Sequence, residues 1–143
     1  MNILKALENC KLDHVAVATK SILNSQKVFE ALGLVFQPGE EIVASQKVKT
    51  KFAAMDQHAH LELLEATSDD SSIAQFISKK GEGIHHLAFL VPDVEKKAQE
   101  LRQQGFVLLY EKAQMGANNK LIHFIHPKST GGILIEISQD VLK

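Results

Sequence analysis

The sequence predicts an α+β fold in which two tandem βαβββ modules form an open, cleft-bearing mixed β-barrel, a single domain over residues 1–143. Three observations predict it. His14 and His86 stand 72 positions apart, Gly33 and Gly105 likewise 72, and Glu62 and Glu136 74. A self-similar period this long marks a duplicated module rather than a stack of short solenoid repeats. Each copy opens on a strand-like run, Leu12-Asp13-His14-Val15-Ala16-Val17-Ala18 and Ile84-His85-His86-Leu87-Ala88-Phe89-Leu90, then enters a helical stretch that stops at glycine. Each later reaches a strand with one inward carboxylate, Leu61-Glu62-Leu63-Leu64-Glu65 and Leu134-Ile135-Glu136-Ile137. A unit of this kind leaves one sheet face uncovered, and two of them side by side can curl around a cleft.

Module one covers about 12–66, a linker about 67–83, and module two about 84–138. Residues 12–18 alternate His14, Ala16 and Ala18 on one face with Val15 and Val17 on the other, the period of a strand. Residues 24–32 read as a helix with Val28, Phe29 and Leu32 as its apolar stripe and Gly33 as its stop. One or two strands fall within 43–55, where Lys47, Lys49 and Lys51 mark a face that is solvated or lies over an anion. Residues 59–65 form a further strand with His58, His60 and Glu62 on a shared face. A polar connector, 66–72, leads to a short helix over 73–80 stopped by Gly81 and Gly83. The plan then repeats: strand 84–91, a turn at Pro92-Asp93, and a helix to about Gln104 with Val94, Ala98 and Leu101 inward. Strand 106–110, a loop at 116–119, strand 121–125, a turn at 126–132 and strand 133–138 complete it.

With 143 residues, 45% of them hydrophobic, the chain can bury one sizeable core but not two independent ones. A net charge of -1 and a pI near 6.6 give no electrostatic footprint for nucleic acid or an anionic membrane. One cysteine, Cys10, cannot form an intramolecular disulfide, and no signal-peptide core or membrane-spanning apolar run is present. A cytoplasmic setting is therefore expected. Cys10 has no activating partner nearby in sequence, so a catalytic thiol is not expected.

A histidine from the first strand and a carboxylate from the last strand of each module would supply two nitrogen and two oxygen ligands. That set suits cobalt, nickel, manganese or zinc. Any one of these residues alone is more often a packed or solvated group. Recurrence at matching points of a repeat is the informative part, because inward carboxylates are costly unless paired or metal-bound. His85 and His86 point to opposite sheet faces, and the repeat aligns His85 with Asp13, which selects His86. His58 and His60 could replace or supplement Glu62. Neither has a histidine counterpart in the second module, and the favoured reading of both is a solvated strand edge.

Four segments carry a family resemblance: Asp13-His14-Val15-Ala16-Val17-Ala18; Leu61-Glu62-Leu63-Leu64-Glu65; Asp70-Ser71-Ser72-Ile73-Ala74-Gln75-Phe76 leading through Gly81-Glu82-Gly83-Ile84-His85-His86; and His126-Pro127-Lys128-Ser129-Thr130-Gly131-Gly132-Ile133-Leu134-Ile135-Glu136. From Leu12 to Gln139 the chain resembles the vicinal oxygen chelate superfamily of glyoxalase, bleomycin-resistance and dioxygenase proteins, and within it the methylmalonyl-CoA epimerase family. The resemblance implies one divalent metal ion per chain, cobalt(II) first, with nickel, manganese or zinc admissible, held by His14, Glu62, His86 and Glu136. It implies epimerisation of methylmalonyl-CoA by 1,1-proton transfer through a metal-stabilised enolate; Glu136, a ligand able to share or leave the metal, is the preferred proton carrier on one face, and Glu62 is the candidate on the other. It also implies an acyl-CoA substrate and a homodimer. Lys120, Lys128, Ser129 and Thr130 are then donors for a carboxylate or for coenzyme A phosphates.

The chain departs from the pattern in three places. Some family members carry a glutamate where Thr50 stands, and threonine is a poor general base, which puts the second proton carrier in doubt. The loop commonly read Gly-Ala-His-Gly is Gly116-Ala117-Asn118-Asn119, and Ala66 replaces a proline. Two other functions remain open: a glyoxalase I-like lactoylglutathione lyase using the same ligand set, and a non-catalytic metabolite-binding protein of the same fold.

Overall fold

The computed structural model describes residues 2–141. Its elements run α1 Ile3–Asn9, β1 Lys11–Ala18, α2 Ile22–Ala31, β2 Glu41–Val43, β3 Val48–Ala54, β4 His60–Ala66, α3 Ser72–Lys80, β5 Gly83–Leu90, α4 Val94–Gln103, β6 Gln114–Met115, β7 Lys120–Ile125 and β8 Ile135–Asp140. The chain divides into two compact units, His14–His85 and Met1–Asp13 with His86–Lys143.

In the first of these the strand order is β2-β3-β4-β1, with β1 parallel to β4 and β3 antiparallel to both β2 and β4. In the other it is β5-β8-β7-β6, with β5 parallel to β8 and β7 antiparallel to both β6 and β8. The same mixed pattern is thus built twice, as the sequence repeat requires.

Helices α2 and α4 are started by a duplicated device. Ser21 accepts from the Asn24 N–H at 3.2 Å and Asp93 from the Lys96 N–H at 3.0 Å, the side-chain caps that helix N-termini need. The next amide of each helix is taken by the last strand of its own module. Ile22 N–H donates to Glu65 Oε1 at 2.9 Å, and Val94 N–H to Gln139 Oε1 at 3.0 Å. Gly33 and Gly105, at φ 103° and 94°, end the same two helices in a conformation that side chains disfavour. Under α2, Ile22, Leu61 and Leu63 are buried with Val17, Phe29, Leu34 and Phe36 against them. Under α4, Val91, Val94 and Ile137 are buried with Leu101, Ala113 and Leu121 against them.

Three expectations need correction. Helix α2 starts at Ile22, and Val28 and Leu32 are exposed at 62% and 74% rather than inward. Ile22 and Phe29, seven residues apart, define the buried face; Val28 is rotated about 100° from it and Leu32 lies in the cap. Residues 106–110 make an isolated bridge, Leu108 to Ile125, rather than a strand. The first module has the matching isolated bridge, Phe36 to Ala53; beyond the second bridge Arg102 Nη2 binds the carbonyls of Tyr110 and Glu111 at 2.8 and 3.1 Å, and β6 is the strand that pairs with β7. Strand β8 begins at Ile135, because Gly131 and Gly132 turn at positive φ and Thr130 donates to the Ile133 carbonyl. Helix α1 lies upstream of both expected modules and buries none of its residues.

Candidate active site and metal centre

Strand register decides which side chains share a face. In the His14–His85 unit, His14 partners His60 and Ala16 partners Glu62 across β1 and β4, while Phe52 faces Glu62 from β3. Register partners, and residues two apart on a strand, lie on one side of a sheet. His14, Ala16, Phe52, His60 and Glu62 therefore share a face. In the other unit Ala88 on β5 partners Glu136 on β8, and Phe124 faces Glu136 from β7. His86, Ala88, Phe124 and Glu136 share a face in turn. The two constellations match type for type: a histidine, an alanine beside the carboxylate, a phenylalanine on its other flank, and the carboxylate itself.

Within each constellation the histidine meets its carboxylate. His14 Nε2 lies 3.1 Å from Glu62 Oε2, and His86 Nε2 lies 3.5 Å from Glu136 Oε1. All four residues are only 5–6% exposed. Ala16 and Ala88 are fully buried, and their small side chains leave room for the neighbouring carboxylates.

These pairs fit a divalent ion. Ligand atoms at about 2.0–2.2 Å from a common ion stand about 2.8–3.6 Å apart at tetrahedral or octahedral angles. Both separations fall in that window. Nitrogen beside carboxylate oxygen is also the donor chemistry of borderline divalent metals. His60 adds a further imidazole, its ring centroid 5.2 Å from that of His14 and 5.0 Å from that of Phe52. It is half-buried, not the solvated edge expected from the sequence, whereas His58 is exposed.

Thr50 lies on the Glu62 face as the partner of Leu64, 1% exposed, with its hydroxyl donating to the Glu41 carbonyl at 3.4 Å. Lys49 and Lys51 alternate away from that face, and Lys47 lies in the turn before β3. Lys49 partners Glu65 and Lys51 partners Leu63, and Lys47 pairs with Asp70. The Lys49 amine lies 2.9 Å from Glu65 Oε2 and 3.5 Å from Glu40 Oε2. The hydrogen bond that Lys49 donates to Glu65 raises its pKa above the ordinary lysine value, so Lys49 stays protonated. His123 is fully buried on β7 opposite Ile137, on the sheet face turned away from Glu136, with Nε2 against Glu95 of α4.

The four residues expected to contact substrate lie in one unit. Lys120 is 8% exposed and pairs with Asp140 and, at 3.4 Å, with Asp13. Burial alone would lower its pKa, but the two aspartates outweigh burial and hold it above the ordinary lysine value. Ser129 Oγ accepts from the Val107 N–H at 3.0 Å, and the Thr130 hydroxyl donates to the Pro127 and Ile133 carbonyls. Lys128 is exposed. The buried Asp13–Lys120 pair had no signal in the sequence, because its members sit on strands far apart in the chain.

The chain matches the Glyoxalase/Bleomycin resistance protein/Dioxygenase superfamily over residues 13–124. An uncharacterized protein, YqjC of Bacillus subtilis (strain 168), is 38% identical over 130 residues, covering 90% of this chain and 91% of its own length. The crystal structure of methylmalonyl-CoA epimerase from Mycobacterium tuberculosis superposes with a TM-score of 0.86 at 35% identity, over 92% of this chain and 88% of that one. A methylmalonyl-CoA epimerase in complex with methylmalonyl-CoA and NH4+ also gives 0.86, at 29% identity over 93% of this chain and 96% of that one.

Proposed function

The chain belongs to the glyoxalase/bleomycin resistance/dioxygenase superfamily and, within its vicinal oxygen chelate fold, to the methylmalonyl-CoA epimerase family, and from that premise we propose that it interconverts the two stereoisomers of methylmalonyl-CoA by 1,1-proton transfer. The observation that carries the proposal is the buried histidine–glutamate pair built twice from equivalent strands, at 3.1 and 3.5 Å.

We infer that His14, Glu62, His86 and Glu136 together hold one divalent ion per chain, cobalt(II) first, with nickel, manganese or zinc also admissible. Such an ion supplies Lewis acidity that lowers the cost of negative charge developing on the thioester oxygen. The protein's own residues do the remaining work. Glu136, as carboxylate, takes the acidic hydrogen between the thioester and the carboxylate, Glu62, in its protonated form, gives its own proton to the opposite face, and the two reset by proton exchange with solvent. Thr50 offers only a hydroxyl, which is no base at neutral pH, and Lys49 keeps its proton, so the transfer rests on the two carboxylates. Phe52 and Phe124 flank them with apolar surface, which strengthens charge interactions by keeping water out.

Lys128, exposed beside the 127–130 turn, is the proposed contact for coenzyme A phosphate. Ser129 and Thr130 shape that turn, and Lys120 supplies positive charge at its buried pair with Asp13. The proposed assembly is a homodimer, supported by the apolar side chains of Ile3, Leu4 and Leu7 that α1 leaves exposed. The setting is cytoplasmic, which suits the exposed free thiol of Cys10.

Incubation with methylmalonyl-CoA in deuterium oxide tests the function: exchange of the α-hydrogen is expected, and turnover of methylglyoxal with glutathione is not. The reverse outcome would make the chain a lactoylglutathione lyase, and neither activity a binding protein. Glu136→Gln keeps a coordinating oxygen and loses the base. It is expected to retain metal while exchange falls about 10²- to 10⁴-fold. Exchange within a few-fold of the native rate in the metal-replete variant would defeat the assignment.

A further inference from the structure

The two constellations match in histidine, alanine, phenylalanine and glutamate but differ at one place. In the second, Phe124 packs edge-on against His86, with ring centroids 5.3 Å apart. In the first, the equivalent Phe52 packs edge-on against His60 instead, at 5.0 Å, and His60 stands between it and His14. The position matching His60 in the second module is Leu134, which has no donor. His60 is thus an extra imidazole inserted into one half of an otherwise duplicated site.

Its placement is that of a ligand. His60 partners His14 directly in the β1–β4 register and sits two residues before Glu62 on the same strand face. With Asp13, His14 and His60 form a group of donor atoms that all lie within 4.8 Å of one another. The ring spacing agrees. Two imidazoles bound to one ion at about 2.0–2.1 Å, on adjacent sites at 90–110°, place their ring centroids about 4.5–5.3 Å apart. The observed 5.2 Å falls within that range.

We propose that His60 is an additional metal ligand of the first module, joining His14 on the ion. This rests on the metal-site reading given above. The consequence is selectivity. A third imidazole tilts the site toward ions that favour nitrogen, such as cobalt(II), nickel(II) and zinc(II), over manganese(II), which suits carboxylate and water.

The test uses the full chain and His60→Leu, with His60→Asn as a second variant in case the leucine protein does not fold. Chelator competition measures cobalt(II) and manganese(II) affinities, and pulsed EPR on the manganese(II)-loaded proteins counts coordinated imidazole nitrogens. Three imidazoles are expected in the native chain and two in either variant. Cobalt(II) affinity is expected to fall at least 10- to 100-fold, and manganese(II) affinity by less. Loss of a supporting group outside the coordination shell can also cost ~10- to 100-fold in affinity, so the nitrogen count decides. Two imidazoles in the native protein overturn the proposal and leave the functional reading standing. A native protein that binds no metal defeats the functional reading itself, and this inference with it.

Discussion

At the scale of single residues the site depends on what is small as much as on what is charged. Ala16 and Ala88 are fully buried and are the cross-strand partners of Glu62 and Glu136. A side chain with two more methyls there has nowhere to go except toward the carboxylate. Ala88→Val is expected to destabilise the protein by about 1–3 kcal/mol, the usual cost of overpacking a filled core. It is also expected to weaken metal binding, since Glu136 must move away from His86. Thermal unfolding and a metal titration on the same preparation check both effects; unchanged affinity would show that the pair tolerates a shift. Thr50 illustrates the converse limit. Its identity argued against a role as base, but its full burial on the Glu62 face is a property of the folded sheet.

At the scale of elements, the helix starts are where charge and stability meet. Glu65 Oε1 accepts the Ile22 amide while its other oxygen holds Lys49 at 2.9 Å. Burial raises the Glu65 pKa, but the Lys49 hydrogen bond, the Ile22 N–H and the Lys49 charge outweigh it and hold the carboxyl below its ordinary value. A carboxyl depressed in the folded state binds fewer protons there than in the unfolded chain. Its contribution is therefore present above the unfolded value, about 4.3 for glutamate, and is lost as pH falls through the lower folded value. Glu65→Gln keeps the amide acceptor and removes the charge. The stability gap between it and the native protein is expected to be constant near neutrality and to close on acidification below about pH 4.3. Denaturant melts at a series of pH values measure it, and a gap that widens in acid would reverse the sign. The second module performs the same capping with the neutral Gln139, so Gln139→Ala is expected to cost about 1 kcal/mol with little dependence on pH.

For the whole molecule, the proposed ligation by the buried histidine–glutamate pairs would make metal and fold interdependent. Buried ionisable groups are costly unless paired or coordinated, and an ion that binds only the folded state adds stability by mass action. At a free metal concentration 100-fold above the dissociation constant the gain is about 2.7 kcal/mol. Chelation is therefore expected to lower the Tm by several degrees, and re-addition of cobalt(II) to restore it. A Tm indifferent to metal would argue against a closed four-ligand site. Assembly is tested at the opposite end of the chain. Leu4→Glu with Leu7→Glu places charge on the exposed apolar side of α1. Sedimentation is expected to convert a native dimer to a monomer in that variant, and a dimer of undiminished stability would place the interface elsewhere.

The sequence by itself determined the duplication and named the residues of the candidate site. The matching of His14 with His86 and Glu62 with Glu136 is carried by spacing, a one-dimensional property set by the repeat; the face each histidine shares with its carboxylate comes from the register of β1 on β4 and of β5 on β8. It also located α4 and α3 closely, since caps and glycine stops are local. Only the tertiary structure decided what depends on which strand lies beside which. It set the face of Lys49 and Lys51, the removal of His123 to the far side of its sheet, and the burial of Asp13 with Lys120. It reduced the expected strand at 106–110 to a single bridge, as at Phe36 in the first module, and paired β6 with β7. And it moved His60 from a solvated edge to the side of His14, a contact that arises from the parallel pairing of β1 with β4 and so has no counterpart in local sequence.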